Sequence, residues 1–321
     1  MSRAPVTVIV PALGDTDLLD ANLPPLVDEL ERAGAGDELV LVDDTGTGAL
    51  EAWFAEHLAG RPARLVVQAA NGGFAAAVEA GVAAASHDLC FSMNSDVVVT
   101  EGFLEPLVAA LTGPVPGGID GGFDAVFAVT PRVLLEGDAE RDESFVAGEL
   151  EGGLLRIRDV DPGPTPTATT PIPFAVGGTC LFDRARFVEL GGFDPLFAPF
   201  YYEDDDLCWR AWRRGWATLY VPTSVVEHHH RGTIGGLISE DRRRAAVERG
   251  ELLFNWKHLD AADLPEHLAL LYRRALDAWL TDDRAALTWL VAALERAAEA
   301  GLERAEDGRP SGEVLDAIQR P

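Results

Sequence analysis

Four short clusters in this 321-residue chain hold the side chains able to grip a cation, a phosphate or a transferable proton. The first is Asp43-Asp44, which closes a strand-like run and precedes the turn Thr45-Gly46-Thr47-Gly48. Strand-end carboxylates of this kind cap the next helix or accept hydrogen bonds from a nucleobase or ribose, and both readings stand. The second is Asn71-Gly72-Gly73-Phe74. Its glycines permit close backbone approach, and a helix start draws anions. A plain glycine-rich helix start reads equally well. The third, Asn94-Ser95-Asp96, closes another strand. Magnesium and manganese take carboxylate oxygen and keep positions for phosphate and water. The segment offers one carboxylate, with Asn94 where a fuller Asp-x-Asp site would begin.

The fourth cluster is the densest. Gly191-Gly192-Phe193-Asp194 leads into Phe200-Tyr201-Tyr202-Glu203-Asp204-Asp205-Asp206-Leu207-Cys208-Trp209-Arg210, and His228-His229-His230 follows. A helix dipole accounts for acids at a helix start, but not for their place between aromatic residues. Carboxylates packed beside apolar groups have raised pKa values and become candidate bases. Three histidines after a strand-like run read as a metal-ligand loop or as a surface tract, and we favour the loop.

The elements that must position these clusters alternate. Strand-like runs at 6–10, 38–42, 64–68 and 89–93 are separated by helical stretches at 18–32, 48–58 and 74–85. Such alternation predicts an α/β fold with a mostly parallel, Rossmann-like sheet and helices on both faces. Ligands then bind outside the carboxyl ends of the strands, where the acidic clusters fall. From 113 to 173, glycine, proline and acids predict irregular excursions with a strand or two, such as 125–129. A further strand is expected at 217–226. The Ala/Leu/Arg/Glu composition from 236 predicts two to four helices and a frayed tail after about 305. The expected division is 1–235 for the α/β domain that carries the four clusters and 236–321 for a C-terminal helical extension.

Bulk composition narrows the partners. With 26 basic and 53 acidic residues the formal charge is −27. Such a surface repels nucleic acid, and an anionic ligand would have to arrive with a cation or meet local backbone donors. Three widely spaced cysteines predict reduced thiols and a reducing, cytoplasmic setting. No apolar run nears the ~20 residues needed for a transmembrane segment.

Taken in order, these signatures resemble the family-2 glycosyltransferases of GT-A fold, especially their rhamnosyltransferase-like and galactofuranosyltransferase-like branches. The resemblance runs from VTVIVPAL at Val6 to HHHRGT at Thr233, through VDD, NGGFAAAVEAG, NSDVVV, LGGFDPLF and YYEDDDLCWRAWRRGW. ERGELLFNWKHL at 248–259 looks like the helix that follows the domain in those branches. The resemblance implies an inverting sugar transfer from a nucleoside-diphosphate sugar (UDP or dTDP) to an acceptor hydroxyl. The acceptor would be a glycan, a lipid-linked sugar or a small molecule. It implies that Pro11, Asp43, Asp44, Asn71, Gly72, Asn94, Ser95 and Asp96 line the donor. Asp204, preceded by Glu203, would be the general base. Asp96 and His228, with His230 as a lesser candidate, would hold Mn2+ or Mg2+. A homo-oligomer is also allowed. Two rivals remain: a catalytically silent donor-binding module, and a dinucleotide oxidoreductase, which the missing G-x-G-x-x-G after the first strand disfavours.

Overall fold

The structure, a computed structural model, describes residues 3–115, 122–163, 166–229, 239–305 and 307–319. The first half follows the alternation. β1 (Val6–Ala12), α1 (Thr16–Ala33), β2 (Glu38–Asp43), α2 (Glu51–His57), β3 (Ala63–Val67), α3 (Gly73–Ala84) and β4 (Leu89–Met93) come in order. β5 (Val97–Val99) and α4 (Leu104–Thr112) follow. β1 pairs in parallel with β2 and β4, and β2 in parallel with β3. The sheet runs β3-β2-β1-β4 and then continues through later strands.

Period-two burial gives the sheet two apolar faces. Val6, Val8 and Val10 pack with Leu19, Leu23 and Leu26 of α1 and Leu107 of α4. Ile9, Val40 and Val42 turn to the other side, against Ala77, Val78 and Val82 of α3. β-branched residues suit strands buried on both faces, so both sides of the sheet are covered by helices as expected.

The segment 113–173 departs from expectation. It contains β6 (Ala125–Leu135), β7 (Asp138–Asp142), β8 (Val146–Glu151), β9 (Leu154–Asp159) and β10 (Thr170–Pro171). The missed β8–β9 hairpin turns on Gly152-Gly153, both at positive φ, a two-residue turn that glycine adopts freely. β11 (Thr179–Asp183) then runs antiparallel to both β4 and β6, and β12 (Trp216–His228) runs parallel to β6. Between them lie α5 (Arg184–Glu189), a short 3-10 turn at Pro195–Phe197 and α6 (Glu203–Arg213).

Four described helices complete the chain: α7 (Glu240–His258), α8 (Leu264–Leu280), α9 (Arg284–Ala300) and α10 (Ser311–Gln319). The expected frayed tail is instead a docked helix. Val314 and Leu315 are buried in the main core, and Ser311 Oγ accepts from Trp209 Nε1 at 3.1 Å and donates to the His258 carbonyl at 2.8 Å. Leu253 and Phe254 of α7 belong to the same apolar cluster as Trp209 and Trp212 of α6.

Gly81 of α3 lies against β1, where an added Cβ would overlap the Ile9 side chain. Backbone of a helix cannot yield as a flexible side chain does, so Gly81→Ala is expected to destabilise the fold by about 1–3 kcal/mol. Urea titration checks this. An unchanged midpoint would mean that α3 sits farther from β1.

Candidate functional site

Pro11 of β1, Asp43 of β2 and Asn94 after β4 share the carboxyl edge of the parallel strands. Asp43 is fully buried. Its Oδ1 accepts from the Thr45 amide (2.9 Å) and hydroxyl (2.6 Å), and its Oδ2 from the Leu50 amide at 2.9 Å. Asp43 therefore shapes the turn that presents its neighbour. Asp44 crosses to the Asn71 loop, where Oδ1 accepts from the Gly72 amide (2.8 Å) and Oδ2 from the Gly73 amide (2.9 Å). The start of α3 does attract an anion, but that anion is Asp44. Two amides expected to face a ligand are thus already engaged, while Asn71 itself is exposed.

Asn94, Ser95 and Asp96 form the next corner. The Ser95 carbonyl accepts from Asn22 Nδ2 at 2.8 Å, which fixes the turn from behind. Asp96 is buried, and its Oδ1 lies 3.3 Å from Nε2 of His228. β5 pairs antiparallel with β12 and sets His228 beside Val97, which brings the two together. On the other ring nitrogen, Nδ1 of His228 lies 3.1 Å from Glu143 Oε2. His229 points away, toward Glu136 (3.8 Å) and Glu227 (3.7 Å), as alternation along an extended strand requires. His230 lies outside the described residues.

Burial works against a charged His228 ring, yet its hydrogen bonds to Asp96 and Glu143 outweigh that and push its pKa up to about 9. A proton and a divalent cation are alternative ways to neutralise this acidic corner. Among the described residues no three His, Cys, Asp or Glu side chains gather to hold a metal, and this corner supplies two donors. It pairs a carboxylate oxygen with an imidazole nitrogen, and a second carboxylate orients the imidazole from behind. Sequence reasoning missed Glu143. One acid in an acid-rich segment carries no signal until β6, β7 and β12 pair.

The third part is α6. Tyr201 and Tyr202 both have positive φ, 73° and 75°, a conformation that non-glycine residues adopt only where their surroundings enforce it. Tyr202 is enforced from α7. It packs on Phe254 with ring centroids 5.7 Å apart, and a Cβ on Gly250 would come within 2.5 Å of its ring. Tyr202 thus packs, partly buried, against the core, while Phe200 and Tyr201 meet edge to face at 5.3 Å and are also partly exposed.

The four acids separate into distinct roles. Asp206 is fully buried, with Arg210 Nε at 2.7 Å, Lys257 Nζ at 2.6 Å and His258 Nε2 at 2.8 Å. Burial alone would raise its pKa, but these three partners hold it well below the usual carboxylate range. Asp204 accepts from the Gly177 amide at 2.8 Å and the Asp205 amide at 3.0 Å, and burial raises its pKa. Asp205 does not turn away to solvent but is buried and hydrogen-bonded through its carboxyl to Asp204. The tight helix start keeps the two together. Burial, then the charge of Asp204, pushes Glu203 up to about 8, and its buried Oε2 has no hydrogen-bond partner. Glu203 also lines a cavity of about 150 Å³ shared with Gly72, Phe193 and Pro199.

A glycine pair absent from the expected site joins these parts. Gly177 donates to Asp204, while the Gly178 carbonyl accepts from the Asn94 amide at 2.9 Å. A Cβ on Gly178 would lie 2.5 Å from the Asn94 side chain, and one on Gly177 3.2 Å from Asp204. Val176-Gly177-Gly178-Thr179 before a strand was the available signal.

Residues 7–189 match the family model described as glycosyl transferase family 2. The chain belongs to this family. Most of its sheet, Asp44, Asp96 and the Gly177-Gly178 bridge fall within the matched span, whereas α6, β12 and His228 lie beyond it. Among relatives, the pre-mycofactocin glycosyltransferase of Mycobacterium tuberculosis is 30% identical over 167 residues. That match covers 50% of this chain and 30% of the relative, so the chain spans under a third of that enzyme. The N-acetylglucosaminyl-diphospho-decaprenol L-rhamnosyltransferase of the same species is 37% identical over 65 residues, 20% of this chain and 21% of that one. Among solved structures, GalNAc-T7 with UDP, GalNAc and Mn2+ superposes with a TM-score of 0.61 at 16% identity, over 99% of this chain and 59% of its own. Staphylococcus aureus (S. aureus) TarS 1-349 with UDP-GlcNAc gives 0.53 at 14% identity, over 82% and 69%. These structures establish the GT-A fold of this family-2 chain.

Glu203 supplies a pH signature. A carboxyl whose folded pKa is raised contributes stability that is full below its unfolded value and lost as pH rises through about 8. Glu203→Gln removes that loss. Around pH 9 the variant is expected to melt above the wild type, and around pH 5 to match it. Equal melting temperatures around pH 9 would show that Glu203 is solvated.

Proposed function

We propose that this chain transfers a sugar from a nucleoside-diphosphate donor, UDP- or dTDP-linked, to an acceptor hydroxyl with inversion and with help from Mn2+ or Mg2+. The observation that carries this reading is the Gly177-Gly178 bridge. It links Asp204 at one end to Asn94 at the other, which supports reading Asp204 as the proton acceptor and the Asn94-Ser95-Asp96 corner as the cation side of one site. The fold neighbours support the donor class, since GalNAc-T7 was solved with UDP and Mn2+ and TarS with UDP-GlcNAc.

Asp204 accepts the proton of the acceptor hydroxyl as its oxygen bonds to the anomeric carbon and the bond to the diphosphate breaks. The Gly177 amide and the Asp205 carboxyl orient the Asp204 carboxylate for that task, and its raised pKa strengthens it as a base. Glu203, next to Asp204 and lacking a partner on Oε2, is suited to bind an acceptor hydroxyl. Asp44, with Asn71, Gly72 and Pro11 around it, forms the rim for the base and ribose, and Asp43 sets the turn beneath. Asn94 and Ser95 line the side nearest the diphosphate. Asp96 and His228 would hold the cation with Glu143 fixing the imidazole, and the cation would neutralise charge on the departing diphosphate. Acceptors of the glycan, lipid-linked or small-molecule class all present the required hydroxyl.

A second reading is a silent donor-binding module, favoured by Asn94 in place of an acid. Hydrolysis of a nucleotide-sugar panel with manganese separates the two, because a silent module shows none.

Asp204→Asn keeps shape but cannot accept the proton, so transfer is expected to fall about 10²–10⁴-fold with donor affinity unchanged. Asp205→Asn retains a donor toward Asp204 and should lose far less. The reverse order would move the base to Asp205, and full activity in both would refute general-base catalysis here. For the cation, calorimetric titration with Mn2+ should show weakened binding in His228→Ala and near-normal binding in His229→Ala. Equal affinities would remove His228 from the metal site.

A further inference from the structure

The acids beside Arg249 on α7 are taken by other arginines. Glu248 accepts from Arg244 Nε at 2.9 Å, and Glu251 lies 3.6 Å from Arg156 Nε. In a chain of 53 acidic and 26 basic residues, Arg249 has no carboxylate in salt-bridge contact among the described residues, and its buried Nε has no hydrogen-bond partner. Its guanidinium turns to backbone instead. Nη2 donates to the Ala198 carbonyl at 3.1 Å and reaches the Phe197 carbonyl at 3.5 Å. Arg296 of α9 donates to the preceding carbonyls, of Leu196 at 3.0 Å and of Pro195. Two guanidiniums from the C-terminal helices thus hold four successive carbonyls through charge-assisted hydrogen bonds.

The held segment is one wall of the cavity that Glu203 lines, since Pro195, Phe197, Ala198 and Pro199 all border it. α7 also touches the start of α6 directly. A Cβ on Gly250 would lie 2.5 Å from the Tyr202 ring, so Arg249 and Glu203, each one residue from that contact, flank it. Their charges act on each other in the same sense: Arg249 lowers the Glu203 pKa and Glu203 raises that of Arg249. The other charged groups around Glu203 are acids: Asp204 on α6, Asp194 before the 3-10 turn and Glu79 on α3. Asp194 is held by Lys257 at 2.5 Å, and Glu79 accepts from the Phe193 amide at 3.0 Å. Arg249 is the cation that answers this acidic surround at Glu203.

We propose that Arg249 is a positioning residue for Glu203: it fixes the Phe197–Ala198 wall of the cavity and faces the carboxyl with the positive charge that favours its ionised form. This rests on the reading of Glu203 as the group that binds an acceptor hydroxyl. An ionised carboxylate is acceptor-only on both oxygens, so the unpartnered Oε2 can then receive a hydroxyl proton in a hydrogen bond. Asp204, next in the chain, remains the group that removes the reactive proton. Arg249 lies beyond the family-matched span of 7–189, so the C-terminal helices reach the acceptor side of the site through this one guanidinium.

A double-mutant cycle at two pH values tests this on the full chain without substrate. Around pH 9, where Glu203 is ionised, Arg249→Met is expected to lower the urea midpoint more in the wild type than in Glu203→Gln. Around pH 5, where Glu203 is neutral in the fold, the two losses should be equal. The lost carbonyl bonds are common to both backgrounds and cancel. Carbon-13 NMR of glutamate-labelled chain reads the charge directly. The carboxyl resonance missing from Glu203→Gln should titrate at about 8 in the wild type and in Arg249→Lys, which keeps the charge. It should titrate about one pH unit higher in Arg249→Met. Arg249→Gln, which keeps a donor for the Ala198 carbonyl, should match Arg249→Met and replaces it if that variant does not fold. Equal losses around pH 9, an unmoved midpoint in Arg249→Met, or a midpoint raised as far in Arg249→Lys each overturn the proposal. Neither measurement needs turnover, so a failure here is distinct from an absence of nucleotide-sugar hydrolysis, which would sink the transferase reading alone.

Discussion

The arrangement rests on one buried carboxylate. Asp206 has no exposure, yet it stays charged because Arg210 reaches it from its own helix while Lys257 and His258 reach it from α7. Removing one partner from such a buried ion pair costs about 3–5 kcal/mol, since the remaining charge is left without compensation. The contact fixes the distance and rotation of α6 against α7. That rotation decides that Glu203, Asp204 and Asp205 emerge on the side of the Gly177 loop. Lys257 is the only lysine in the chain, and it is placed in this contact, with Asp194 on its other side at 2.5 Å.

The same principle, a buried internal charge answering a charge within the chain, operates at Asp44. The start of α3 carries the positive end of a helix dipole, and Asp44 neutralises it from within the chain. The loop at Asn71 is thereby fixed before any ligand arrives. Preorganised dipoles of this kind need little rearrangement when charge develops in a reaction. Gly177 and Gly178 complete the effect, because only residues without Cβ allow the backbone to pass between Asn94 and Asp204.

Electrostatics divide the acids of this protein into two populations. Asp204 is raised by burial, and Glu203 and Asp205 by burial and by the charge of Asp204, whereas Asp206 is lowered by three cationic or hydrogen-bonding partners. Four consecutive residues of similar chemistry thus hold opposite protonation tendencies within one helical turn. No helix among the described residues is long and apolar enough to cross a membrane.

The sequence by itself determined the parallel half of the sheet. Runs such as VTVIV and ELVLV are buried on both faces, and β-branched alternation with amphipathic helices leaves few other solutions. It also located the acidic strand ends, because strand-end position follows from local pattern. The hairpin at Gly152-Gly153 was legible through its turn residues but was hidden by the surrounding acids and prolines. What only the tertiary structure decided are the pairings between distant segments: Glu143 with His228, Gly177 with Asp204, Asp44 with Gly72, and Asp206 with Lys257. The docking of α10 was likewise invisible, because Val314 and Ser311 find their partners on α6 and α7 and not along their own segment. Local sequence fixes dihedral preference and which face is apolar. Which carboxylate gains a cation, an amide or only another carboxylate depends on contacts up to a hundred residues apart, and those set its charge.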